Sequence, residues 1–128
     1  MTPGERITHA LRDILGFADE VEQYVISGGE STFLQDRPTQ LVAEALLHRI
    51  GEAVSRLGED FVSQHPDVEW RKMRAMRNVV AHQYGFVDYR IVWRALSEAL
   101  PDDVARIESL LGERDEEGPG PPNPSAPT

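Results

Sequence analysis

The sequence predicts an all-α protein, an antiparallel bundle of about five helices followed by a disordered C-terminal tail. Three observations carry this reading. Apolar residues recur every three or four positions through most of the chain. Period-2 alternation is sustained nowhere. Gly and Pro fall between the apolar stretches and leave only short connections, as in helical bundles.

In the first helix, Ile7, Leu11, Ile14, Leu15, Ala18, Val21 and Val25 form one stripe. Gly28-Gly29 ends it. Pro38 suits a first helical position and opens the second long helix. Leu41, Val42, Ala45, Leu46, Ile50, Ala53, Val54 and Leu57 supply its core face, and Gly58 stops it. Gly51 in its middle costs about 1 kcal/mol relative to Ala, which points to a close helix–helix contact. A third helix runs from about Val68 to Ala81 with Met73, Met76, Val79 and Val80 as its apolar face, and Gly85 breaks it. Asp88 is placed to cap a fourth helix bearing Val92, Trp93 and Leu96. Pro101 opens the last, with Asp102 and Asp103 in a first turn where the helix dipole favours anions. Val104, Ile107, Leu110 and Leu111 are its stripe.

The domain is expected to span 1–112 and the tail 113–128. From Asp115 onward there are five of the nine prolines and no Val, Ile, Leu, Met, Phe, Trp or Tyr. Such a segment has nothing to build a core from. One domain of 128 residues is long enough to bury a real core. Cysteine is absent, which excludes a disulfide framework, a cysteine nucleophile and thiolate zinc sites. There is no apolar run near the roughly 20 residues of a membrane span and no apolar leader. The simplest reading is a soluble cytoplasmic protein with no membrane association.

A net charge of −9 argues against a general nucleic-acid coat. The charge is uneven: −6 over residues 1–63, +3 over 64–95 and −6 over 96–128. The basic stretch holds Arg71, Lys72, Arg74, Arg77, Arg90 and Arg94. It reads either as a solvated helix face or, because five of the six are arginine, as a phosphate-binding one.

On a regular helix Arg71, Arg74, Asn78 and His82 fall within about 80° of one another. Arg77 lies about 140° from His82. Those two residues can reach one phosphate only if the helix loosens or a second subunit supplies one of them. The residue types suit phosphodiester cleavage without metal. An imidazole moves protons near neutral pH, and a guanidinium stabilises charge building on phosphate oxygens. An RNA substrate carries its own 2′-hydroxyl nucleophile. The plainer reading of the same residues is structural hydrogen bonding.

Arg77, Asn78, His82 and Tyr84 resemble the Arg-x4-His-x-Tyr motif of the HepT-like toxins in the HEPN superfamily. Arg12-Asp13-Ile14, Phe33-Leu34-Gln35-Asp36, Ile50-Gly51-Glu52-Ala53 and Trp70 with Met76-Arg77-Asn78 match further blocks of that family in order. The resemblance covers roughly residues 5–112 and leaves the tail outside. It implies a HEPN-like bundle acting as an endoribonuclease toxin of a toxin–antitoxin pair. It implies Arg77 and His82 as the ribonuclease pair at a homodimer interface, with Asn78 orienting the site. The shared helix face adds Arg74 and Arg71 as supports for RNA phosphates. The resemblance also implies Tyr84 as the residue to which a minimal nucleotidyltransferase antitoxin adds AMP. Such a modification adds negative charge and bulk where RNA phosphate would sit. No cofactor and no metal are implied.

Other residues point elsewhere. His48 and Glu52, four apart, read as an exposed pair rather than a metal site. Glu52 alternatively reads as a polar group near the bundle centre, beside Gly51. Trp70 and Trp93 read as core. Two readings compete with catalysis: a non-catalytic RNA- or nucleotide-binding dimer neutralised by a protein partner, and a helical scaffold whose motif only builds its interface.

Overall fold

The computed structural model describes residues 1–82 and 87–117, with backbone alone for 78–82, 116 and 117. Among the described residues seven α-helical segments follow one another and no strand occurs. They are α1 (Pro3–Tyr24), α2 (Glu30–Gln35), α3 (Arg37–Ser55), α4 (Glu59–Gln64), α5 (Trp70–His82), α6 (Tyr89–Arg94) and α7 (Leu100–Glu117). The fold is the all-α bundle that the periodicity predicts.

Local chemistry sets most boundaries. Thr2 accepts the Glu5 amide at the start of α1, and Pro3 follows it in the first turn. After Tyr24 a 3₁₀ turn over Ile26–Gly28 leads to Gly29, whose φ of 86° lets the chain reverse into α2. Asp36 caps α3 through the Thr39 amide at 3.1 Å and also bonds the Thr39 hydroxyl. Asp88 caps α6 as expected, accepting the Arg90 amide at 3.0 Å. The second long helix ends at Ser55, before Gly58, and Gly58 instead turns the chain into α4. That short helix does not stand out in the sequence because Phe61 and Val62 are its only buried residues.

Helix α3 packs against both α1 and α5. The core joins Leu11, Ile14 and Val21 of α1 to Ile50, Ala53 and Val54 of α3, with Met73 of α5, Val92 of α6 and Ile107 of α7. Burying a side chain of this size contributes about 1.5–3 kcal/mol, so these stripes supply most of the driving force. Trp70 is buried and donates its indole N–H to the His65 carbonyl at 2.8 Å. Trp93 packs on Phe33 with ring centroids 5.4 Å apart. Trp70 is therefore core, as read, and Trp93 is partly buried against the core.

Pro101 corrects the expected last helix. It does not open one. The chain is helical without interruption from Tyr89 to Glu117, with a π turn over Ala95–Ala99. Proline has no N–H and its ring crowds the carbonyl four residues back. The π turn absorbs that defect: the Leu100 amide reaches the Ala95 carbonyl, five residues back, just before the proline. A cleft of about 500 Å³ lies beside this turn, lined by Met73, Met76, Ala95 and Ala99. Asp103 stands with Asp102 in the first turn of α7, as expected. It is also buried and accepts the Glu69 amide at 3.1 Å, which adds a service to the start of α5. Burial pushes its carboxyl above the ordinary value, against the pull of the Glu69 amide.

The end of the domain moves as well. Helix α7 continues to Glu117, past the expected boundary at 112. Arg114 donates to the Gly4 carbonyl at 2.8 Å and the Thr8 hydroxyl at 2.9 Å, and Asp115 accepts from Arg12 at 2.9 Å. These contacts fasten the end of α7 to the start of α1. The rest of the expected tail, 118–128, lies outside the described residues, as do Gln83–Phe86 with Tyr84 and Gly85.

Candidate active site

At Gly51 helix α3 closely approaches Arg77 of α5. A Cβ on Gly51 would sit 2.8 Å from the Arg77 Cβ and 3.3 Å from its Cδ. The close contact inferred from a mid-helix glycine is therefore present, and its occupant is the arginine of the motif. The Arg77 stem lies over the glycine. Its Nη1 donates to Glu52 Oε1 at 2.6 Å, a charge-assisted bond at the short end of the usual range. The Arg77 side chain is 24% exposed and that of Glu52 56%, so the pair sits at the surface with its guanidinium partly shielded. This corrects the placement of Glu52 near the bundle centre.

The other predicted site residues separate. Arg74 donates to Glu59 of α4 at 3.0 Å. Arg71 is exposed. Arg74 and Arg77 thus reach for different elements. Asn78 and His82 lie on α5, which stays helical through His82, and their side chains are outside the described set. Helical spacing therefore keeps Arg77 and His82 about 140° apart around one helix axis. The loosened helix end, one of the two routes to a shared phosphate, is not present up to His82. Tyr84 cannot be placed, being outside the described residues.

A second tie holds the other flank of the motif. Tyr89, the first residue of α6, accepts a hydrogen bond from Arg37 at 2.7 Å and donates to Glu44 at 2.9 Å. Arg37 also pairs with Glu44 at 3.1 Å. Phe33 meets the Tyr89 ring edge-on at 5.9 Å, and Gln40 donates to the Phe33 carbonyl at 3.0 Å. Burial first, and then the hydrogen bond to Glu44, raise the Tyr89 hydroxyl above its ordinary 10.0. Helix α3 therefore grips Arg77 through Glu52 and Tyr89 through Glu44. Between those two grips runs the segment carrying Asn78, His82 and Tyr84.

Sequence reasoning missed Glu52, Glu44, Arg37 and Tyr89 as supports. Only Glu52 left a signal, in the Ile50-Gly51-Glu52-Ala53 block. Among the described residues no three His, Asp or Glu side chains gather as a metal site, and no helix is long and apolar enough to cross a membrane.

Comparison with known proteins places the chain in a family. The model of the family described as "Ribonuclease HepT-like" matches residues 14–110. "Putative RNase MJ0127" of Methanocaldococcus jannaschii is 32% identical over 109 residues, 85% of this chain and 90% of its own. "Probable ribonuclease HepT" of Thermococcus cleftensis is 33% identical over 100 residues, 78% of this chain and 91% of its own. No solved structure matches. The matched span runs from the middle of α1 almost to the end of α7 and so contains both grips of α3 on the motif; the chain belongs to the HepT-like ribonuclease family.

Proposed function

We propose that this ribonuclease is the toxin of a toxin–antitoxin pair, an endoribonuclease that cuts RNA without metal at a site shared between two subunits. The observation that carries this reading is the fixed direction of Arg77. It is tied to Glu52 on α3, while the helical spacing of α5 sets position 82 about 140° from position 77 around the axis. Pairing Arg77 of one subunit with His82 of another resolves the geometry.

In this mechanism the RNA 2′-hydroxyl attacks the adjacent phosphorus. A new P–O bond closes a 2′,3′-cyclic phosphate and the bond to the 5′-oxygen of the next nucleotide breaks. His82 accepts the proton of the attacking hydroxyl or supplies one to the leaving oxygen. Arg77 stabilises the charge on the phosphate oxygens, using guanidinium donors that Glu52 leaves unused. Asn78 orients the site, and Arg74 and Arg71 hold neighbouring phosphates. A minimal nucleotidyltransferase encoded beside the gene silences the toxin by adding AMP to Tyr84, which places a phosphate among these arginines.

Cleavage by the purified protein in EDTA, and of mixed dimers, tests this. Arg77→Ala and His82→Ala each lower cleavage by about 10²–10³-fold or more. Mixing the two variants restores one intact composite site and part of the activity. Failure to complement would overturn the shared site. Undiminished cleavage by both variants would overturn the roles of the pair. Salt-sensitive RNA binding with no new RNA ends would favour a non-catalytic binding dimer instead. Intact mass after co-expression with the neighbouring gene, with and without Tyr84→Phe, tests the modification.

A further inference from the structure

Beside the Arg77–Glu52 pair, on the ridge of α3 that faces α1, lies a shallow concavity of about 590 Å³. Phe17 of α1, His48, Arg49 and Glu52 of α3, and Arg56 just after its last residue line it. Arg49 and Arg56 come from the acidic part of the chain, and nothing in the linear charge pattern connects them with the basic stretch of α5. Folding does: Glu52 both lines this concavity and holds Arg77.

We infer that this concavity is the track for RNA leading away from the cleaved bond, with Arg49 and Arg56 on successive backbone phosphates and Phe17 as a stacking platform. The inference rests on the ribonuclease reading and deepens it by locating the strand. Three observations support it. Charge comes first: Arg49, Arg56 and Arg77 outnumber Glu52 and Asp13, a local positive excess on a chain of net −9. RNA is therefore attracted to this ridge and repelled by most of the remaining surface.

Preorganisation is the second. Asp13 accepts Arg56 Nη2 at 2.6 Å, as Glu52 accepts Arg77. Each carboxylate engages one of five guanidinium donors and steadies the rest for phosphate. Arg49 is exposed and has no carboxylate partner among the described residues, so phosphate binding there displaces nothing. Spacing is the third. Arg49 and Arg56 are two turns apart on one face, about 10 Å along the axis, so they address different phosphates. Half-buried Phe17 adds an aromatic face, which accepts any base and fits a single strand without sequence preference.

The test is binding of a short 2′-O-methyl oligoribonucleotide, which cannot be cut by 2′-hydroxyl attack, across a salt series. Arg49→Ala and Arg56→Ala each reduce the slope of log affinity against log salt by about 0.7, the loss of one single-strand phosphate contact. Phe17→Leu weakens binding about tenfold with the slope unchanged. Lys72→Ala, on the side of α5 that faces α7, leaves both unchanged and controls for general charge. Arg49 has no carboxylate partner among the described residues, so its variant reports on binding even if Arg56→Ala loosens the contact with α1. Slopes for Arg49→Ala and Arg56→Ala equal to wild type would overturn the track. Because the probe is not cut, loss of slope in a protein that never cleaves RNA would uphold the track and sink the ribonuclease mechanism. Intact slopes in an active nuclease would sink the track alone.

Discussion

Helix α3 makes two ties to the flanks of the motif segment, and they differ in kind. The Glu44 tie holds Tyr89 in a three-way bond with Arg37, covered by Phe33. The Glu52 tie holds Arg77 alone, at the surface, over a glycine. The first satisfies the Tyr89 hydroxyl and draws on one nitrogen, Nη1, of an Arg37 that stays exposed. The second uses one guanidinium donor and keeps the others. Three mutually bonded side chains, with the Tyr89 ring packed on Phe33, fix where α6 begins. A single ion pair over a glycine fixes the direction of Arg77. The same helix thus makes one tie shared among three groups and one that rests on a single contact.

The sharpest way to break this contrast is Gly51→Ala. The added methyl meets the Arg77 Cβ, which is fixed to the α5 backbone and cannot rotate away. Overpacking costs about 1–3 kcal/mol against about 1 kcal/mol gained in helix propensity. Thermal melting should show a net loss of stability, and single-turnover cleavage should fall at least about tenfold as Arg77 moves off Glu52. An unchanged melting temperature with full activity would show that α5 shifts freely. Glu52→Ala comes next. It should lower kcat about tenfold, equivalent to about 1.4 kcal/mol. Melting should hardly change, because exposed ion pairs contribute about 0–1 kcal/mol. A large melting shift with unaltered kcat would reverse the assignment of this tie.

Tyr89→Phe should show the opposite pattern, losing about 1 kcal/mol of stability with a smaller change in kcat than Glu52→Ala. Its pH dependence identifies the hydroxyl. Since the folded state raises the Tyr89 pKa, its contribution is complete below 10.0 and is lost as pH rises through the raised value. The wild type should therefore lose stability more steeply than Tyr89→Phe in strong alkali, as read by denaturant unfolding. The smallest effect is expected at Asp103, at the far end of α5 from the motif. Asn at this position keeps an acceptor for the Glu69 amide and removes a buried charge. The raised Asp103 pKa means the wild type loses stability as pH rises through it, so Asp103→Asn should flatten the acid-to-neutral profile by less than about 1 kcal/mol. A steeper profile in the variant would show that the charge, with Arg106 3.6 Å away, is the stabilising part.

Much of the fold is legible in the sequence because its signals are local. The stripe from Ile7 to Val21 and the Asp88 cap each act within a few turns of helix, and Gly51 shows locally as a poor helix former although the side chain that needs its space, Arg77, is on α5. Pro101 misleads for the same reason. Its preference for a first helical turn is a local rule, and the π turn that satisfies it inside a continuous helix is another local solution to the same missing N–H. Asp103 takes its expected place, but its partner is not legible because the Glu69 amide is 34 residues away. Helix α4 is too short to show a period, and α7 outlasts its apolar stripe because Arg114 and Asp115 find partners on α1.

The sequence by itself determined the helical class, the order of the long helices and the motif carrying Arg77, Asn78, His82 and Tyr84. Periodicity and short-range spacing encode such features directly. Tertiary structure alone decided what Arg77 leans on, which carboxylates hold the flanks of the motif, and that Arg49 and Arg56 stand beside it. Those facts depend on which faces of α1, α3 and α5 meet. That choice is made by burying apolar stripes far apart in the chain, and the polar groups are carried into place by the packing.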